Sequence, residues 1–104
     1  ENLLFNQLFS IGHSLDEAME ISSYRTEHGA EIDFIVSFRG QTWAIEAKSS
    51  SNIKKIDRRG FKSFADYYGK PHTPLLAYMG DEAKIIDGVQ VMPWVEIINT
   101  ILAS

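Results

Sequence analysis

The sequence predicts an α/β fold, a mixed β-sheet carrying helices, and three observations lead to it. Runs rich in β-branched and aromatic residues over 21–26, 31–38 and 41–48 are separated by His28-Gly29 and Arg39-Gly40, which is the signature of a meander. A helical stretch over 53–68 is followed by a continuous apolar run at 74–79, of the kind a strand shows when both of its faces are covered. A second pair of β-branched runs around Asp87-Gly88 then leads into a helix opened by Pro93. Strands alternating with helices in this order fit one mixed sheet with helices packed on it, formed by residues 1–104 as a single domain.

Each element has its own warrant. Over 3–11, Leu4, Phe5 and Leu8 stand at helical spacing with Asn6 and Gln7 between them, and Gly12 is a natural stop. Glu1, three and four residues before Leu4 and Phe5, points toward the buried side of that helix if it reaches so far. Ser14 and Glu17 have capping-box spacing, which predicts a short helical turn over 14–20. In the stretch 53–68, Ile56, Gly60, Phe64 and Tyr67 form the inner side and Gly69 ends the helix. The closing helix turns Trp94, Ile97, Ile98 and Ile101 inward.

Composition narrows the function classes. With 44% hydrophobic residues in 104 the chain can build one core, and with no cysteine it has neither disulfides nor thiolate metal sites. No apolar run approaches the ~20 residues of a membrane span and no signal peptide opens the chain, so a cytoplasmic protein with no membrane partner is expected. The start at Glu1 rather than Met, with helical periodicity already under way, predicts a piece of a longer protein. Net charge is −4, yet from Lys48 to Lys62 six basic residues face one acid, Asp57. Within that stretch Lys55, Arg58, Arg59 and Lys62 fall at i, i+3, i+4 and i+7, one helix face suited to a phosphate backbone.

The chemistry-bearing constellation follows from register. A two-residue loop at Arg39-Gly40 pairs Phe38 with Gln41 and sets Asp33 across from Glu46, with Glu31, Asp33 and Ile35 on one face and Glu46 and Lys48 on the matching face. Opposed Cβ atoms lie about 4.5–5.5 Å apart, where like charges destabilise a sheet, so the two carboxylates call for a cation. Lys48 would then stand beside a metal-bound phosphate. The same register also puts Lys48 across from Glu31, and a cross-strand salt bridge accounts for those two residues with no function at all. His13, His28 and His72 share no metal spacing, the serines have no paired base, and no phosphate-binding Gly-rich loop with Lys and Ser/Thr is present.

Asp33 followed by Glu46-Ala47-Lys48 resembles the PD-(D/E)XK nuclease superfamily. The wider text is similar to the C-terminal domain of unknown function attached to prokaryotic predicted AAA-type ATPases: Glu1-Asn2-Leu3-Leu4-Phe5-Asn6, Tyr24-Arg25-Thr26, Gly29-Ala30-Glu31-Ile32-Asp33, Ile45-Glu46-Ala47-Lys48-Ser49-Ser50, Gly80-Asp81-Glu82, Asp87-Gly88-Val89 and Met92-Pro93-Trp94. The resemblance implies a restriction-endonuclease-like α-β-β-β-α-β core with a C-terminal hairpin and helix. It implies that Asp33, Glu46 and the main-chain carbonyl of Ala47 bind Mg²⁺ or Mn²⁺, with Lys48 catalytic and Glu1 in the place of the glutamate that the first helix often adds. The implied activity is a metal-dependent nuclease, with DNA as partner and an ATPase module elsewhere in the full-length chain. The alternative is a catalytically silent domain that docks a partner or regulates the ATPase. A homodimer stays open. Residues 53–68 lack the glutamine that some branches place there, which argues against the exonuclease-like ones.

Overall fold

The computed structural model describes Asn6, Ser10 and residues 18–104. Asn6 and Ser10 are helical and exposed. Glu1, His13 and the remainder of the helix expected over 3–11 lie outside the described residues, as does most of the turn expected over 14–20. Met19 and Glu20, the end of that expected turn, are instead the start of a strand.

The elements are β1 (Met19–Arg25), β2 (Glu31–Phe38), β3 (Gln41–Ala47), α1 (Arg59–Tyr68), β4 (Thr73–Tyr78), β5 (Lys84–Ile86), β6 (Val89–Pro93) and α2 (Trp94–Leu102). They form one six-stranded sheet in the order β1-β2-β3-β4-β6-β5. β1, β2 and β3 are an antiparallel meander, β4 joins β3 in parallel through the α1 crossover, and β6 joins β4 in parallel with β5 hairpinned on its outer side. The sheet is therefore mixed, as the alternation of elements predicts. β1 starts earlier than its composition suggests because β2 is eight residues long and pairs with it as far as Met19↔Phe38.

Two turns set the registers. Arg39 and Gly40 have φ of 52° and 77°, and Asp87 and Gly88 have φ of 52° and 81°, so both loops place two successive residues in the left-handed region that a type I′ hairpin requires. Phe38↔Gln41 and each pair up to Phe34↔Ile45 follow from the first turn.

The sheet is covered on both faces. On one, α2 buries Ile97, Ile98 and Ile101 against Phe34, Val36, Trp43, Ile45, Leu75 and Ala77. On the other, α1 buries Phe61 and Phe64 against Ile32, Ile35, Ala44, Leu76 and Val91. Leu75 to Tyr78 supply both faces in alternation, which is why β4 reads as an unbroken apolar run. Polar contacts fix α1 on its face: Tyr24 OH lies 2.7 Å from Ser63 Oγ, and Thr42 Oγ1 lies 2.9 Å from Tyr68 OH.

Three expectations are corrected. The helix begins at Arg59 rather than at residue 53. The amide of Ile56 donates to Asp87 Oδ2 at 3.1 Å and that of Arg59 to Asp57 Oδ1 at 3.1 Å, so side chains take the donors that a longer helix would use. Tyr67 is not inward but 74% exposed, because the helix buries Phe61 and Phe64 and packs a half-buried Tyr68 beside them. Finally, β2 does not alternate strictly. The β1–β2 register shifts from Ser22↔Ile35 to Tyr24↔Ile32, so Asp33 and Phe34 together oppose one residue, and Ile32 joins Ile35 in the same core cluster. Glu31, Asp33 and Ile35 therefore do not share one face.

Candidate active site

The bulge falls where β2 and β3 part. Their ladder ends at Phe34↔Ile45, and beyond it the two acids replace the missing backbone partners. The amide of Asp33 donates to Glu46 Oε1 at 2.9 Å, and the amide of Ala47 donates to Asp33 Oδ2 at 2.9 Å. β3 stays paired on its other side through Ala47↔Ala77, with the Lys48 amide donating to the Ala77 carbonyl at 2.8 Å. Asp33 and Glu46 thus meet, as the register predicts, where the β2–β3 ladder has ended and carboxylate–amide bonds take over.

Both carboxylates are partly buried. The Glu46 carboxyl is pushed up to about 7, first by desolvation and then by the charge of Asp33, while the hydrogen bond from the Asp33 amide and the charge of Lys48 oppose the rise. This chemistry fits a hard divalent cation. The donors are oxygens, and their mutual repulsion is what a cation relieves. No group of three or more His, Cys, Asp or Glu suited to a metal occurs among the described residues. Two carboxylates suffice for Mg²⁺ when water and phosphate complete its shell. Asp33, Glu46 and Ala47 are the residues that would hold it, and Glu1 lies outside the described residues.

A cavity of about 210 Å³ opens beside this pair, walled by Glu46, Lys48 and Glu31, by the 53–57 segment and by the start of α1. Asp33 is not among its walls. Lys48 is exposed and makes no ion pair among the described residues. The cross-strand bridge to Glu31 is not formed, since Glu31 pairs with Arg25 at 3.8 Å, its partner on β1.

The basic stripe is only partly helical. Lys55 lies in the segment before α1, Arg58 is its N-cap, and only Arg59 and Lys62 are on the helix. Arg59 grips Asp57 at 2.6 Å and holds its carboxyl down at about 2, and Arg58 donates to the Asp87 carbonyl at 3.4 Å. Asp57 and Asp87 are the residues that sequence reasoning missed. The Asp57-Arg59 spacing was one visible signal, since an aspartate readily bonds the amide two residues on. Asp87 was legible only as a turn residue.

Fold and site define a mixed α/β domain with a paired-carboxylate centre at the parting of two antiparallel strands, and a lysine on the cavity beside it. A family model described as a domain of unknown function, DUF4143, matches residues 1–97, and the chain belongs to that family. No curated protein matches the chain. Among the described residues, no helix is long and apolar enough to cross a membrane.

Proposed function

We propose that this domain is a divalent-metal-dependent nuclease that hydrolyses phosphodiester bonds, in DNA before RNA, as the nuclease module of a longer cytoplasmic chain that also carries an ATPase. The observation that carries the reading is the pair of Asp33 and Glu46, in which Glu46 accepts the Asp33 amide and Asp33 accepts the Ala47 amide, with Lys48 on the cavity wall that Glu46 shares. Asp33, Glu46 and the main-chain carbonyl of Ala47 would hold the ion. Bound there, Mg²⁺ or Mn²⁺ supplies charge to a phosphate oxygen and acidity to water. Lys48, with three N–H donors and no lone pair for a metal, faces the phosphate and stabilises the negative charge that builds on it. Water oxygen bonds to phosphorus in line, the opposite P–O ester bond breaks, and the leaving alkoxide takes up a proton as the water gives one to solvent.

One observation favours the silent alternative. Each carboxylate already has a structural occupation as the acceptor of a backbone amide, so both acids also make sense as clamps at the end of the β2–β3 ladder. Calorimetric titration with Mn²⁺ separates the two readings. Asp33→Asn and Glu46→Gln keep an acceptor for each amide but remove the charge, so they should fold and lose Mn²⁺ binding. Lys48→Ala should keep Mn²⁺ binding and lose cleavage. Wild-type Mn²⁺ affinity in both amide variants leaves the clamp alone standing.

A further inference from the structure

We infer that the cavity beside Glu46 and Lys48 receives one nucleotide of an unpaired strand, so that the substrate is single-stranded or frayed DNA rather than continuous duplex. This deepens the nuclease reading and rests on it for the role of the adjacent centre. The cavity has two chemical halves. Ile53, Ile56, Phe61 and Leu76 give an apolar part, and Lys48 and Lys55 give a cationic part. An apolar recess next to cations matches a base and sugar next to a phosphate. Of the three acids on the same walls, Glu31 is paired with Arg25, Asp57 with Arg59, and Glu46 belongs to the carboxylate pair beside the cavity, while Lys48 and Lys55 have no ion pair among the described residues.

Size and layout both point away from duplex. At about 210 Å³ the cavity is smaller than the roughly 300–1,000 Å³ of drug-sized sites, and it has room for one monomer unit but not for a base pair. A duplex tracked along a helix would need a straight row of cations. Because α1 starts at Arg59, Lys55 is off the helix, and Arg58 is turned to the Asp87 carbonyl. The segment carrying Ile53, Lys55 and Ile56 is held over the cavity by the bond from the Ile56 amide to Asp87 Oδ2. The cations are thus disposed around a recess instead of along a line.

The test is equilibrium binding by fluorescence anisotropy, with the 104-residue chain and Ca²⁺ in place of Mg²⁺. The probes are a labelled single-stranded DNA oligonucleotide and a blunt hairpin duplex containing the same sequence. The single strand should bind about tenfold more tightly or better, on the scale of stacking one base. Ile53→Trp, which fills the recess, and Lys55→Glu, which reverses an exposed charge, should each weaken single-strand binding about tenfold and leave Mn²⁺ affinity unchanged. Equal or tighter binding of duplex overturns the inference, as does unaltered single-strand affinity in both variants. Cleavage is read separately. Single-strand binding without Mn²⁺-dependent cleavage defeats the nuclease reading and keeps the nucleotide pocket, whereas Mn²⁺-dependent cleavage with no preference for the single strand does the reverse.

Discussion

At Glu46 two demands conflict, and the conflict can be measured as a pH dependence. Its carboxylate accepts the Asp33 amide, which favours the charged form, yet burial and the neighbouring Asp33 charge outweigh that bond and lift it from 4.5 to about 7. Between those two values the folded state holds more protons at Glu46 than the unfolded state does. Stability in metal-free buffer must therefore fall as pH rises from about 4.5 to about 7, and level off above. Glu46→Gln keeps the acceptor and cannot ionise, so it should lack that decline and be more stable than wild type at pH 8 in chelator. Glu46→Ala should gain less, because it leaves the Asp33 amide without its partner. Denaturant melts of the three proteins across this window check the point, and parallel curves for wild type and Glu46→Gln would refute it.

Among the elements, α1 shows how far the sequence could be read. The β2–β3 register followed from two residues, Arg39 and Gly40, since a type I′ turn admits one pairing, and Asp33 with Glu46 came with it. The start of α1 was not legible, because it depends on Asp87, 31 residues away in the chain from Ile56, whose amide it takes. The bulge at Asp33 was hidden for a related reason: a period-2 pattern cannot show that an extra residue is left without an opposite number. Gly60 was read as part of the inner stripe, and the structure gives its reason. A Cβ there would run into the backbone carbonyl of Glu31, which cannot swing aside, so the helix lies on β2 as only glycine allows. Gly60→Ala gains about 1 kcal/mol of helix propensity but forces α1 off the sheet, at about 1–3 kcal/mol for overpacking. The expected balance is a destabilised protein with α1 shifted away from the cavity it walls. A melting temperature at or above wild type would mean that the contact is not limiting.

For the whole molecule, the centre lies where the sheet is open on one side and zipped on the other. β3 remains bonded to β4 through Ala47 and Lys48, while toward β2 two carboxylate–amide bonds continue past Phe34↔Ile45. A cation held by Asp33 and Glu46 would act as a further tie between β2 and β3, and an unfolded chain has no equivalent site. Binding to the folded state alone stabilises it by about 2.7 kcal/mol when the ion is at a hundred times its Kd. In a domain of this size each kcal/mol moves the melting midpoint by about 4–8 °C, so saturating Mn²⁺ should raise it by on the order of 10 °C. The rise should disappear in Asp33→Asn and in Glu46→Gln, and persist in Lys48→Ala, whose side chain takes no part in holding the ion. It should also shrink as pH drops below about 7, because a proton on Glu46 competes with the metal for the same carboxylate. Calorimetric scans with and without Mn²⁺ at pH 6 and 8 give both comparisons. A midpoint that Mn²⁺ moves equally in wild type and in both amide variants would place the ion elsewhere on the molecule and leave the crossed carboxylates as a clamp between two strands.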